Sequence, residues 1–379
     1  MKHGNYFRIP EGPTDIELLR REAQRLDQRT SPGWLDQVDR DYYRYVGTRS
    51  CRGFSADERR VFLAEIHELE VAGLVADADA DHADVRHLYI RSKGDYDNWS
   101  IGIYRGESPL SLQSAPDAEN PVLTRDHIHD VPAEFVADPF MIHHEDLWFM
   151  FFEILNWRTQ KGEIGLATSI DMMRWEYQQR VLVEPFHLSY PYVFAAQGEC
   201  FMVPETHQTN SVRLYRAADF PTKWVFVTTL LDGGYFADAS IFFHEDRYWM
   251  LVASARGRHD TLRLYLSEHL TGPWEEHPSS PIVNRNSQSA RPAGRVLIDG
   301  NRILRFSQNC EPAYGTDVRA FDITELSPTT YREQEFDNNP ILGPSGTSWN
   351  ACGMHHIDPH KLANADWIAC VDGWTSARL

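Results

Sequence analysis

The chain has 379 residues, 37 Lys and Arg against 55 Asp and Glu, and a formal net charge of −18. So large a negative charge repels phosphate backbones and anionic membrane surfaces, which excludes nucleic acid as a partner and leaves a small molecule or a carbohydrate. There is no run of about 18 apolar residues, so no membrane span is expected.

Five cysteines are scattered along the chain without a CxxC pair, which argues against a disulfide framework and against a zinc site. Residues 1–6 lack the apolar stretch of a secretory signal, so the expected location is cytoplasmic. Eleven Trp and 16 Tyr are many for this length, and flat aromatic faces suit sugar rings as well as cores.

Residues 1–75 read as a small helical segment. Helical spacing runs over 16–26 and again over 57–74, where Ser55 is the N-cap, Glu58 completes a capping box and Gly73 is a stop. Residues 76–84 alternate Ala, Asp and His; they can bury nothing and read as a solvated linker. From residue 85 to 379 the helical period is replaced by short β-rich runs.

Those runs repeat. A polar residue ahead of an apolar run recurs as Ala137-Asp138-Pro139-Phe140, Ser189-Tyr190-Pro191-Tyr192, Ala237-Asp238-Ala239-Ser240 and Ala290-Arg291-Pro292-Ala293, with a looser copy at Gly353-Met354-His355-His356. The steps from 138 to 190, 238 and 291 are 52, 48 and 53 residues. Each opening leads to a strongly apolar second strand, over 147–152, 200–203, 248–253, 302–306 and 367–371. Third strands follow over 164–169, 212–217, 262–267 and 318–323, and Trp175, Trp224, Trp274 and Tyr331 mark the fourth. Closing runs follow over 180–182, 229–231, 281–283 and 340–342.

The fifth copy runs into residue 379 before its third strand, while residues 99–104 and 120–123 resemble a third strand and a closing run. Four strands per module of about 50 residues is the pattern of a β-propeller. The expected fold is therefore all-β, a five-bladed β-propeller over 85–379, with residues 98–123 completing the last blade. A two-sheet sandwich is the competing architecture.

The first strand of each propeller blade lines the central channel, so Asp138, Tyr190, Asp238, Arg291 and His355 (or His356) should share one pocket. Asp before Pro also caps turns, so each Asp has a structural reading as well. Fifteen residues beyond the first two openings stand Glu153 and Glu205, at the ends of the most apolar strands, where the third copy has Ala253. Carboxylates there must pair with Arg291 or Arg295, or hold their protons. His187, His207 and His259 are nearby loop histidines that suit hydroxyl ligands. Adjacent histidines on a strand point to opposite faces, so at most one of His355 and His356 is expected to face the pore. HExxH, Walker, GxGxxG and GxSxG patterns are all missing.

The opening Ala137-Asp138-Pro139-Phe140 resembles the five-bladed glycoside hydrolases of the family-43 and family-32 kind. That resemblance implies a base or nucleophile Asp, a modulating Asp and an acid Glu. Here the second opening carries Tyr190, and the third carries Asp238 where Glu is the pattern. The chain is more similar to the N-terminal region of plant glucosamine inositolphosphorylceramide transferases and its bacterial stand-alone relatives. The residues that carry this are 137–140, 186–194, 290–295 and 349–356, and the resemblance spans roughly residues 95–374. It implies the domain and does not supply a reaction.

The expected function is a carbohydrate-active enzyme, glycoside hydrolase or transglycosylase-like. Asp138 is the expected base and Glu205 or Asp238 the acid, with an inverting gap of about 6.5–9.5 Å between the carboxyls. Tyr190, Arg291 and His355 are expected to orient hydroxyls, with Glu153, His187 and His207 as further binding residues. The alternatives are a biosynthetic enzyme using the pocket for cyclisation or elimination, and a non-catalytic propeller that binds a glycan or glycolipid headgroup. No cofactor is required, and a channel cation touching His355 or His356 is a further expectation.

Overall fold

The computed structural model describes residues 98–375 with their side chains, apart from 157 and 158, together with the backbone of the strands at either end. Tyr6–Arg8, Tyr45–Thr48 and Leu88–Ile90 make a three-stranded sheet, parallel between the first two and antiparallel between the last two. The helices expected over 16–26 and 57–74, and the linker at 76–84, lie outside the described residues. No helix among the described residues is long and apolar enough to cross a membrane.

Residues 98–375 form a compact unit of five antiparallel sheets, a five-bladed propeller. Blade 1 is Ala133–His144, Leu147–Asn156, Lys161–Ser169 and Glu176–Leu182. Blade 2 is Ser189–Ala196, Glu199–Glu205, Ser211–Asp219 and Lys223–Asp232. Blade 3 is Ala237–His244, Arg247–Ser254 and Thr261–Ser267, with an outer edge shared by Glu275–Glu276 and Val283–Asn284. Blade 4 has a broken inner strand, Arg291–Pro292 and Leu297–Asp299, then Arg302–Asn309, Asp317–Leu326 and Tyr331–Glu335.

Blade 5 joins the two ends of the chain: Ile357–Lys361 and Trp367–Ala377 are followed in the sheet by Tyr96–Gly106 and Gln113–Ser114. The ring closes through backbone hydrogen bonds between sequence-distant strands, as the out-of-phase copies require.

The repeats have common physical jobs. In every blade the closing run pairs with the third strand: Ile164 with Leu182, Val212 with Leu231, Leu262 with Val283, Val318 with Leu342 and Ile101 with Leu123. The indole N–H groups of Trp175, Trp224 and Trp274 donate to the carbonyls of Met172, Pro221 and Leu270, locking the turn ahead of the fourth strand. The apolar core is a ring of wedges between blades. Phe140 and Phe151 of blade 1 pack with Val203 and Leu214 of blade 2 and Met250 of blade 3, while Phe306 of blade 4 packs with Ile357 and Val371 of blade 5.

At the openings of blades 1–3 the register slips: two residues, 138–139, 190–191 or 238–239, oppose one on the second strand. The bulged residue is left-handed each time, with φ of 53° at Asp138, 45° at Tyr190 and 54° at Asp238. Asp tolerates this conformation; for Tyr it costs about 1–3 kcal/mol.

Three or four residues further along the inner strands, Arg295 ties four blades together. Its Nε donates to Asp358 Oδ1 of blade 5 at 2.7 Å, and its Nη2 donates to the carbonyls of Met141 in blade 1 and Val193 in blade 2. The other oxygen of Asp358 accepts the Met141 N–H at 2.7 Å. The neighbouring Gly294 has φ 143°, and a Cβ there would stand 1.8 Å from the Ile357 carbonyl oxygen, so only glycine lets the inner strands of blades 4 and 5 approach.

Burial opposes the charge on Asp358, but Arg295 and His360 outweigh it and hold the carboxyl well below its usual range. That stabilisation is present above the unfolded carboxylate pKa of about 3.9 and is lost as pH falls through the lower folded value. Arg295→Met should cost about 3–5 kcal/mol in urea unfolding at pH 7, because it takes the guanidinium from a buried carboxylate and leaves it only His360 and the Met141 N–H. Arg295→Met/Asp358→Leu should recover much of that loss, and a double variant as unstable as the single one would contradict the account.

Candidate functional site

One end of the channel gathers five buried carboxyl groups: Asp138, Glu153, Glu205, Asp238 and Asp372. The bulge places Asp138 and Asp238 at the blade openings, and the register puts Glu153 opposite Ala137 and Glu205 opposite Ser189. The buried cations among them are Arg291 and His355. Five acids cannot all ionise against two cations in so little water, so their proton affinities must diverge.

Arg291 holds one side. Its Nε donates to Asp238 Oδ2 at 2.5 Å, its Nη2 reaches Glu205 Oε2 at 3.3 Å and its Nη1 meets His259 Nδ1 at 2.9 Å. Gln308 donates a further bond to Asp238 Oδ2 at 3.0 Å. His207 Nδ1 lies 2.5 Å from the other Glu205 oxygen. Burial opposes charge on Glu205, but the His207 hydrogen bond and Arg291 overcome it and hold the carboxyl well below its usual range. Burial pushes Asp238 up, with Arg291 working against it. Glu205 and Asp238 therefore titrate as a pair on one guanidinium.

Glu153 has no such partner. Burial, and then the charges of Asp138, Glu205, Asp238 and Asp372, push its pKa well above the usual value. Its neighbour is His187, whose Nδ1 accepts the Gly162 N–H at 2.9 Å, leaving Nε2 3.4 Å from Glu153 Oε1. Burial holds His187 neutral, with its pKa down at about 4.

Asp138 sits between the two groups. Burial raises its pKa to about 6, against the pull of His355. Its Oδ2 accepts the Tyr190 N–H at 3.2 Å, and its own N–H donates to Asp372 Oδ2 at 3.0 Å. His355 is bracketed: Nδ1 is 2.7 Å from Asp372 Oδ1 and Nε2 is 3.8 Å from Asp138 Oδ1. Burial would lower its pKa, but Asp372 and Asp138 raise it above the usual value, so the ring carries a proton. Trp99 stacks on it at 3.9 Å, and the half-exposed Tyr314 stands edge-on at 5.2 Å with Arg291 5.0 Å from its ring.

The expected pocket residues Asp138, Glu153, Glu205, Asp238, Arg291, His187, His207 and His355 are thus linked by contact and charge, and His259 joins them through Arg291. Tyr190 is enclosed: its hydroxyl is 2.9 Å from both Ser240 Oγ and the Gly294 carbonyl oxygen, which ties blade 2 to blades 3 and 4. His355 and His356 each bring one ring nitrogen within 3.8 Å of Asp138 Oδ1; both precede the strand Ile357–Lys361, so strand alternation does not govern them, and the His356 ring is enclosed against Phe140 and Tyr190. Sequence reading missed Asp372, although it stands 16 residues after His356 just as Glu153 follows Ala137 and Glu205 follows Ser189; the loose fifth copy hid that register.

Oxygen and imidazole donors of Asp138, His355 and Asp372 lie within 4.8 Å of one another, a set a cation would accept. The proton on His355 holds that place, so a cation and the proton compete for it.

A family model described as glucosamine inositolphosphorylceramide transferase 1, N-terminal, matches residues 92–374. Glucosamine inositolphosphorylceramide transferase 1 of Oryza sativa subsp. japonica is 36% identical over 298 residues, covering 73% of this chain and 40% of the relative. The Arabidopsis thaliana protein of the same name is 33% identical over 314 residues, 77% of this chain and 41% of its own length. The chain therefore spans about two fifths of the curated relatives it matches. Among solved structures it is similar to the catalytic domain of a GH62 alpha-L-arabinofuranosidase from Coprinopsis cinerea, with TM-score 0.49 and 13% identity, covering 75% of this chain and 99% of that one. By the span of the family match and the identity to the plant proteins, the chain belongs to the family of the N-terminal region of glucosamine inositolphosphorylceramide transferase 1.

Proposed function

We propose that the channel end is a carbohydrate site that cleaves or transfers a glycosidic bond by paired carboxyl chemistry. The observation that carries this reading is the unequal surroundings of the buried acids in one cluster: Glu205 is paired with His207 and Arg291, whereas Glu153 has only the His187 ring, 3.4 Å away, so that burial and the neighbouring acids push its pKa well up while Glu205 is held well down. The plant relatives' name, a transferase of glucosamine onto an inositolphosphorylceramide, supports a sugar or polyol as the substrate class.

In this reading Glu153, and not Glu205 or Asp238, donates the proton to the leaving oxygen as the C–O bond breaks. Asp138 takes a proton from the attacking hydroxyl, which belongs to water in hydrolysis or to an acceptor in transfer. The anomeric carbon becomes oxocarbenium-like between the two steps. Glu205 stays charged through His207 and Arg291 and faces the developing positive charge. Arg291, His259 and Tyr314 stand at the mouth, where a sugar's hydroxyls and ring face would rest.

A second reading has an observation in its favour. Arg291 already neutralises much of Glu205 and Asp238, which suits a binding module for a glycan or glycolipid headgroup. The two part on turnover. Asp138→Asn and Glu153→Gln should each lower the rate about 10²-fold or more while leaving ligand affinity within a few-fold. Ligand binding without turnover in the unaltered protein would favour the binding module.

The pH profile follows from the same groups. The rate should fall below about pH 6 as Asp138 protonates, and fall again in alkali as Glu153 loses its proton. A flat profile across that range contradicts the assignment.

Stability should move the opposite way at Glu153. Its folded pKa lies above the unfolded value of about 4.3, so its contribution is full below that pH and is lost as pH rises through the folded value. At pH 8 Glu153→Gln should therefore raise the thermal midpoint by about 2–4 °C even as it removes activity.

The channel cation remains a proposal in competition with the His355 proton. Calorimetric titration with calcium chloride should show binding at pH 8 that weakens at pH 5, because a protonated imidazole cannot ligate. Equal affinity at the two pH values would exclude His355 as a ligand.

A further inference from the structure

A groove of about 560 Å³ opens on blade 3 at the same end as the acid cluster. Its walls are the connection from blade 2, with Tyr235, and the loop and strand that carry Arg256, Arg258 and Arg263. Three arginines within eight residues are conspicuous on a chain of net charge −18. Arg263 is held by Glu276 at 2.5 Å and by Ser254 Oγ at 3.0 Å, and Arg258 lies 3.5 Å from Asp260. Arg256 makes no ion pair among the described residues; its guanidinium sits 5.6 Å from the Tyr235 ring centre. Glu276 and Asp260 thus answer two of the three guanidinium groups, and Arg256 is the surplus positive charge of the groove.

From this placement we propose that the groove is a subsite for a phosphate ester on the substrate. The uncompensated Arg256, with two further guanidinium groups beside it, suits an anionic group that accepts several hydrogen bonds, which a phosphate does with more oxygens than a carboxylate. Guanidinium forks suit phosphate oxygens in geometry as well as charge. The volume suits a group of sugar-phosphate size. Tyr235 is also the link to the chemistry, since its ring is 5.5 Å from His207, which holds Glu205. A phosphorylated sugar or polyol would lay its phosphate among the arginines and its ring toward the acid cluster. The sugar half of this statement rests on the carbohydrate reading above; the phosphate half rests on the groove alone.

Isothermal titration of the full chain at pH 7.5 and low salt separates the two halves. The probes are inorganic phosphate, acetate, glucose 1-phosphate and glucose. Phosphate should bind saturably and about tenfold more tightly than acetate, and Arg256→Gln/Arg258→Gln should weaken phosphate binding by about tenfold or more with an unchanged thermal midpoint. Should the double variant fail to fold, Arg256→Lys keeps the charge and loses the fork, and a weakening of a few-fold is expected of it. Phosphate binding unchanged in the folded variants, or equal affinity for phosphate and acetate, overturns the subsite. Glucose 1-phosphate binding more tightly than free phosphate supports both halves. Equal affinity for the two, with the arginine dependence intact, upholds the phosphate site and counts against the carbohydrate reading.

Discussion

One partly buried guanidinium, shared between blades, carries the architecture. Radial repetition gives every inner strand one paired edge and leaves the other facing the axis, where unpaired buried peptide groups are costly. Arg295 serves those edges from a single residue, reaching Asp358, Met141 and Val193, while Asp358 takes the Met141 N–H in return. Tyr192 brings in the remaining blade by donating to the Ile241 carbonyl. Lysine, a compact charge on a flexible stem, lacks the planar fork that lets one side chain serve three blades. Asp138 and Tyr190 stand three residues before Met141 and Val193 on the same inner strands, and His355 three before Asp358 just ahead of its strand, so the clamp is the floor on which the acid layer rests.

That floor explains how so many acids can be held together. A cluster of five carboxyls would repel itself apart if its supports could yield, but its members come from four blades that the clamp fixes. Repulsion is relieved by protons instead of by movement. Arg291 and His355 each take the carboxyls within reach, and Glu153, facing a neutral His187, keeps its proton. Acid and base character is thus assigned by distance from the two cations. The arrangement trades stability for that assignment, since Glu153 sits where its charged form is disfavoured.

The propeller was legible because its signals are local and periodic. Apolar second strands, an indole three or four residues after the turn it locks, and a closing run in each copy recur at nearly constant spacing. Even the ring closure could be read from the out-of-phase copies at residues 99–123. That the blade-opening side chains would cluster was legible because equivalent positions on radial blades must converge. Roles were less so, because proton affinity depends on which acid lies nearest Arg291, and no spacing encodes that. Asp372 and the placement of His355 and His356 were hidden for a related reason: the fifth opening is a loop, and neither register nor strand alternation can be counted through it.

The bulges connect backbone to chemistry. Blades 1–3 keep the same left-handed residue at their openings while its side chain changes from Asp to Tyr to Asp. The backbone device is therefore the shared element, and the side chain is free to vary on it. In blade 2 the opening has given up its acid: Tyr190 turns its hydroxyl to Ser240 and Gly294 and becomes a strut between blades. Its strain is offset by those bonds and by full burial of the ring. The charge that blade lacks at its opening is supplied from the end of its second strand, by Glu205. Blade 1 contributes from both places, through Asp138 and Glu153. An opening acid and a second-strand acid on one blade belong to neighbouring positions in a single hairpin, so their separation is set by the bulge itself. The spacing of the proposed base and proton donor is then a local property of blade 1, insulated from adjustments elsewhere in the ring, while Arg291 and His355, arriving from other blades, set only their charge.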